Sequence, residues 1–551
     1  MLRRSFEFLC TLAALAGLAV SFQVKSGAFW SEIADSDESA HYINGLMVHD
    51  YLQSGLHVGP IKYAIDYYIQ YPKVSIGHWP PLYYIVEALW MALFSSSRVS
   101  VFLFSSVLTA LLATVIASQA RRSYGNITGL LAAIVFVALP SVQYNTARLG
   151  LDLPVALLDL AAALTYARYL DKGYWRYSLL FAVVASTAIM VKGNAMELAL
   201  LPAFAVLFGG RYILLRQLSF WLPALIVIVL CGPWYALTYK ISSDGFVYQW
   251  GIDYVELAML ANSYHLVAVA GGILPCLLAS IGVAARIAAQ DARRIPDNRA
   301  LVLLSLIAAV FTFQMIIPTA IDERYMLPAL PPIVLFAVDG IVVMARWPVR
   351  YWRDRIFAFS HPNAESVAAC MIAVFTVGPS APTIAYVPAK PRTGMIEVAR
   401  QILMPGANSN PLVLIAASSA GEGGLIVEMA MHDVARHYYV LRASRILSES
   451  NFMGRNYKVF FHSSSDALAR LDDLGVGQLV FDDSDKSLEM EHDRQVQSAI
   501  ANFPGRWRLL GDYQQSNGAQ TLLYELANNE GRGIDLAKIV AATSPIKVVG
   551  R

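Results

Sequence analysis

Residues 3–38 read RRSFEFLCTLAALAGLAVSFQVKSGAFWSEIADSDE. Arg3 and Arg4 precede an apolar run over residues 5–24, and the loop that follows collects Glu32, Asp35, Asp37 and Glu38. A run of this length spans a bilayer as a helix, because lipid offers its backbone groups no partner. The arginines hold its start on the inner side, so the acids emerge on the outer one. The run has the length of a signal peptide, but it lacks a strong small-residue cleavage signal and many further runs follow; a retained anchor is expected.

The rest of the chain repeats the theme. Of its 551 residues 56% are hydrophobic and 15% charged, which excludes a disordered or collagen-like chain and an ordinary soluble protein. A net charge of +2 gives no basic field for nucleic acid. Cys10, Cys231, Cys276 and Cys370 lie singly in apolar runs and read as small core hydrophobes. Further spans are expected near 99–120, 127–144, 152–170, 176–191, 194–209, 218–239, 264–288, 300–318, 325–345 and 366–387, about eleven in all. Lys and Arg collect in alternate loops, at 121–122, 172–176, 211–216, 286–299 and 346–355, which are then cytoplasmic. That alternation requires residues 79–97, which open with Trp79-Pro80-Pro81 and carry Glu87, to lie as an interfacial or re-entrant helix on the outer side.

Charge density changes near residue 388: 35 of the last 164 residues are charged, against 47 of the first 387. The expected fold is therefore a mainly α, polytopic membrane domain over 1–387, with a first outer loop over 25–98, and an extracytoplasmic α/β domain over 388–551. In the latter, β-rich runs at 412–416, 459–461, 478–481 and 521–526 alternate with helical ones at 424–437, 465–474 and 493–502. Gly421, Gly423 and Gly424 lack the spacing and lysine of a phosphate loop and read as a turn and helix start. After Ser39, the spacing of Ile43, Leu46, Met47 and Tyr51 predicts an amphipathic helix on the membrane surface.

Three groups of residues have chemical scope. Asp35, Asp37 and Glu38, between the anchor and that helix, place at least one carboxylate where it can act as a general base, or else merely cap the helix. Arg148, Lys192 and Arg324 sit at outer helix ends against the positive-inside trend, where they suit an anionic ligand reached from the membrane or serve as snorkelling anchors. Asp152 and Asp159 share a helix face, with Arg148 spaced to neutralise Asp152. His41, His49, His57 and His78 do not have metal-site spacing.

In this order and placement, Asp37-Glu38, the stretch Trp79-Pro80-Pro81-Leu82-Tyr83-Tyr84, Asp152 beside Pro154, Lys192-Gly193 and Arg324-Tyr325-Met326-Leu327-Pro328 before Pro331-Pro332 resemble the polytopic GT-C glycosyltransferases. The protein-mannosyltransferase and aminoarabinose-transferase branch is the nearest in pattern, over roughly residues 5–387. The resemblance implies an inverting hexosyl or pentosyl transferase whose donor is a polyprenyl-phosphate-linked sugar and whose acceptor is a lipid, glycan or protein. It implies Asp37 as the base and Glu38 as its orienter, with Lys192 and Arg324 on the leaving phosphate. Tyr325 and His78 would line the pocket, with Arg148 and Asp152 nearby. Many relatives have a basic residue directly before the Pro-Pro pair, where this chain has Trp79. No cofactor motif stands out, and a divalent metal beside the acids is compatible with the pattern. The expected location is a bacterial inner membrane with the C-terminal domain periplasmic. Two other readings compete: a transporter or flippase of lipid-linked sugar or a related anion with Asp159 and Lys192 in its path, and a catalytically dead scaffold whose outer domain binds an envelope partner.

Overall fold

A computed structural model describes residues 2–75, 77–293, 297–353, 387, 389–404, 410–451, 453–527 and 534–543. The membrane part runs α1 (Leu2–Ser26), α2 (Ser36–Asp50), α3 (Pro60–Gln70), α4 (Leu82–Leu93), α5 (Arg98–Ala138), α6 (Pro140–Thr146), α7 (Asp152–Lys172) and α8 (Trp175–Ile189). It continues with α9 (Leu201–Gly209), α10 (Leu218–Ser243), α11 (Ile252–Tyr264), α12 (Ile273–Arg293), α13 (Asn298–Ile316) and α14 (Leu330–Arg353). Among the described residues six helical stretches, 5–26, 98–138, 152–172, 218–243, 298–316 and 323–345, are long and apolar enough to cross a membrane. Residues 252–270 and 273–288 form a pair bent by 103°. This is a multi-pass membrane protein.

The expected spans map onto these elements with four differences, the first being that the expected span 264–288 straddles the 103° bend between residues 270 and 273. Residues 99–120 and 127–138 are the two arms of α5, which Gly125 breaks by adopting φ 84°. The arms fold back closely: a Cβ on Gly129 would sit 3.0 Å from Cβ of Arg121. The expected spans 176–191 and 194–209 are shorter apolar helices meeting at Lys192, whose extended backbone ends the first and opens a 3₁₀ turn over Gly193–Ala199. The expected span 366–387 lies outside the described residues except for Val387. Helix α4 has twelve residues, about 18 Å of rise, too short to cross.

The C-terminal part holds a five-stranded sheet in the order β2-β1-β5-β7-β6, built from β1 (Leu412–Ala416), β2 (Tyr439–Arg442), β5 (Gln478–Asp482), β6 (Trp507–Gln514) and β7 (Gln520–Leu526). A separate ribbon pairs β3 (Ser448–Glu449) with β4 (Lys458–Val459). Strands β2, β1 and β5 are parallel, and β7 and β6 add antiparallel. The parallel strands are interrupted by helix α15 (Ser419–His432), as crossover connections require. Strands β2 and β6 are absent from the sequence expectation. The first is only four residues, and the second carries Gly511 at a register shift that breaks its alternation.

Helix α2 departs from expectation more sharply. It does not lie on a lipid surface: Tyr42 and Ile43 are wholly buried, and every residue from Glu38 to Leu46 is buried. Its apolar spacing is real, but α4 covers one side and α15 the other. Charge pairs lock the sandwich: Arg98 to Glu428 of α15, Arg436 to Asp50, and the Tyr71 hydroxyl donating to Asp433 at 2.8 Å. Gly423 and Gly424 of α15 are what allow this approach. A Cβ on Gly423 would lie 2.8 Å from Ser39 Cβ and 3.0 Å from Lys73 Cε. Gly423→Val should therefore push α15 off the first loop, at a cost of about 1–3 kcal/mol from overpacking. The check is a lowered Tm with faster proteolysis between residues 389 and 404.

Candidate active site

The acid-rich loop folds by capping itself. Asp35, in extended backbone, accepts a hydrogen bond from the Asp37 amide at 3.1 Å and so starts α2. Its other carboxylate oxygen receives Arg148 at 2.7 Å, with the guanidinium 4.0 Å from the Tyr144 ring centroid. Arg148 thus serves Asp35, and the expected pair with Asp152 does not form.

In the first turn of α2, Asp37 receives Arg324 at 2.7 Å. Its side chain is 28% exposed, at the open side of a cleft. Burial by itself would raise the Asp37 pKa; Arg324, His41 and Lys192 outweigh it and hold the carboxyl below the usual range. Arg324 comes from the 3₁₀ turn Glu323–Ala329 that leads into α14, where Asp322 caps its amide and meets its guanidinium at 3.3 Å. On the same side Lys192 donates to Asp152 at 2.5 Å, and its ammonium lies 4.8 Å from the centre of the Tyr325 ring. Four residues expected from the sequence, Asp37, Lys192, Arg324 and Tyr325, are therefore neighbours, with Asp152 as the partner of Lys192.

Glu38 goes elsewhere. Its carboxylate is 2% exposed, receives Lys390 at 2.6 Å and accepts from the Leu149 amide at 3.1 Å. Helical geometry forces the separation, because consecutive residues on α2 point about 100° apart. In the structure Glu38 ties the start of the C-terminal region to the first loop.

Two residues outside the expected set join the cleft. His41 follows Asp37 by one helical turn; its Nδ1 is 2.8 Å from the Tyr84 hydroxyl and its ring centre is 4.6 Å from that of Trp79. Burial first, then the cations Lys192 and Arg324, lower its pKa to about 4, so the imidazole is neutral at physiological pH. Lys73 lies 3.3 Å from Ser419 Oγ of α15, and its carboxylate neighbours are Glu422 first and then Asp37 and Asp35. Burial, with Arg442 close by, lowers it to about 7. Asn44 holds this loop by accepting the Ser75 amide at 3.0 Å. Spacing along one helix could have found His41. Lys73 is six residues before Trp79 and only the fold of the loop brings it back. His78 stands on the far side of Trp79, with ring centres 6.3 Å apart, and its charged neighbour is Arg445 of the C-terminal domain. Burial lowers it to about 4.

Among the described residues no group of three or more His, Cys, Asp or Glu is placed to hold a metal ion. The cleft is instead a ring of the cations Arg324 and Lys192 with their carboxylates Asp37, Asp322 and Asp152, beside a neutral imidazole and aromatic faces. Such a ring suits an anionic phosphate beside a polar group that must lose a proton.

The architecture as a whole matches ArnT from Cupriavidus metallidurans in the apo state, with a TM-score of 0.54 at 14% identity, covering 96% of this chain and 100% of that one. The chain has the GT-C fold. ArnT from the same organism bound to undecaprenyl phosphate matches its GT-C architecture at TM-score 0.52 and 14% identity, over 95% and 99% of the two chains. The archaeal oligosaccharyltransferase AglB from Archaeoglobus fulgidus, in complex with an inhibitory peptide and a dolichol-phosphate, matches at 0.51 and 12%, over 94% of this chain and 74% of that one. Residues 78–236 match the family of dolichyl-phosphate-mannose-protein mannosyltransferases. No curated protein sequence matches it.

Proposed function

We propose that this chain is an integral-membrane inverting glycosyltransferase that moves one sugar from a polyprenyl phosphate to an acceptor on the outer face of a bacterial inner membrane. The observation that carries the reading is the single cleft in which Asp37 meets Arg324 at 2.7 Å with Lys192, His41 and Lys73 around it. The GT-C fold and the lipid-phosphate ligands named for the similar structures support it.

In the resting cleft Arg324 neutralises Asp37. A donor phosphate entering from the bilayer offers Arg324 and Lys192 a second anion, which weakens their hold on Asp37 and raises its affinity for a proton. The acceptor's O–H or N–H then gives its proton to the Asp37 carboxylate as its heteroatom bonds to the anomeric carbon. On the opposite side of that carbon the bond to the phosphate oxygen breaks, and its electron pair leaves with the polyprenyl phosphate. Arg324, Lys192 and Lys73 stabilise the charge gathering there. Neutral His41, fixed by Tyr84, is free to hydrogen-bond the sugar.

The test is transfer by the purified protein in proteoliposomes, with a panel of labelled hexosyl and pentosyl polyprenyl phosphates and an envelope extract as acceptor. Labelled product and released polyprenyl phosphate are expected. Counterflow of intact donor without product would establish the transporter instead.

Lys73 sets a pH dependence. Its folded value of about 7 lies below the ordinary lysine value, so the ammonium is lost as pH rises through about 7. The free-enzyme kcat/KM for donor should then fall about tenfold per pH unit above that point. In Lys73→Arg the cation persists and the alkaline limb should move out of range, as read from pH–rate profiles of both proteins.

A further inference from the structure

A second cavity opens at the far end of the membrane domain from Asp37. It has a volume of about 470 Å³ and takes its walls from α5, α7, α12, α13 and α14. Asp152, beside the cleft, and Arg168, on the cavity wall, are sixteen residues apart on α7. That separation is about 24 Å of helix rise, most of a bilayer.

The charge accounting inside it is uneven. The cavity's carboxylates are already taken: Arg286 grips Asp339 through two nitrogens at 2.7 and 2.9 Å and reaches Asp297 at 2.9 Å, while Asn298 donates to Asp171 at 2.6 Å. Arg122, Arg168 and Arg299 also line the cavity, and none of them has an ion pair or hydrogen bond among the described residues. Arg122 lies within electrostatic reach of both Arg168 and Arg299. Three like charges facing one concave space repel unless an anion sits between them. The lining also carries the apolar side chains of Leu164, Leu303, Leu335 and Phe336. Unpaired cations beside apolar side chains match a phosphate headgroup continued by acyl chains, whereas a free anion uses only the cations.

We propose that this cavity binds the headgroup of an anionic phospholipid of the leaflet opposite the catalytic cleft. The positive-inside trend places arginines on this face, but it does not require them to converge on a cavity whose acids are already paired.

The full-length protein, delipidated and returned to nanodiscs, tests the proposal by native mass spectrometry with phosphatidylglycerol or phosphatidylcholine. Wild type should retain phosphatidylglycerol over phosphatidylcholine. Arg122→Gln/Arg168→Gln/Arg299→Gln should lose that preference at least tenfold, since each surface cation contributes about 1 kcal/mol. Arg176→Gln/Arg216→Gln, which alters the same face outside the cavity, should keep it. Equal loss in both variants, or retention in the triple variant with an unchanged melting profile, overturns the proposal. So does stabilisation by inorganic phosphate alone to the same extent as by phosphatidylglycerol. If the triple variant fails to fold in detergent, Arg299→Gln alone, expected to weaken retention severalfold, decides by the same readout.

Discussion

Asp37→Asn is expected to lower kcat for sugar transfer by roughly 10²–10⁴-fold, the range for loss of a general base, while donor binding changes little. The amide keeps the shape of the carboxylate, and Arg324 keeps Asp322 at 3.3 Å, so the fold has no reason to change. What disappears is the carboxylate that takes the acceptor's proton in the proposed reaction; His41 sits near 4 with its Nδ1 engaged by Tyr84, and Asp152 is held by Lys192. Because Asp37 is depressed below the usual carboxylate range, its base form prevails from pH 5 to 8, and the acid limb of the rate profile appears as the pH falls through that depressed value. Asp37→Glu should restore part of the rate. Unchanged transfer in the folded Asp37→Asn protein, measured as labelled product per folded mole, would remove Asp37 from the mechanism.

Breaking the Glu38–Lys390 pair should have the largest effect on stability. Both side chains are nearly buried, at 2% and 8% exposure, and their 2.6 Å contact joins the first loop to the segment entering the C-terminal domain. Lys390→Met leaves a buried carboxylate with one amide partner, which costs about 3–5 kcal/mol. Glu38→Gln/Lys390→Met removes both charges and should recover much of that loss. The comparison separates structure from chemistry: the double variant, once folded, should transfer sugar within a few-fold of wild type. A loss of 10²-fold or more in the folded double variant would return Glu38 to the catalytic machinery. The readouts are Tm in detergent and initial rates.

Seen against these residues, the chain announces its architecture openly. Apolar runs, the break in charge density near 388 and the acids after the first anchor are properties of consecutive residues, and lipid imposes one solution on a long apolar run. The same local logic marked Asp37, Lys192 and Arg324, because a charge at an outer helix end stands out against its surroundings wherever the chain later packs. It could not separate Asp37 from Glu38, which are adjacent in the chain yet diverge by a helical step, one to Arg324 and the other to Lys390. Nor could it identify Lys73, which is an ordinary loop lysine until Asn44 and Ser419 hold that loop against α2 and α15. Helix α2 makes the point in packing terms: its apolar stripe was legible, but whether lipid or protein covers such a stripe depends on segments hundreds of residues away. Identity of elements follows from short-range periodicity and solvent preference; the pairing of charges follows from which distant surfaces meet, and that is where the chemistry of this protein is set.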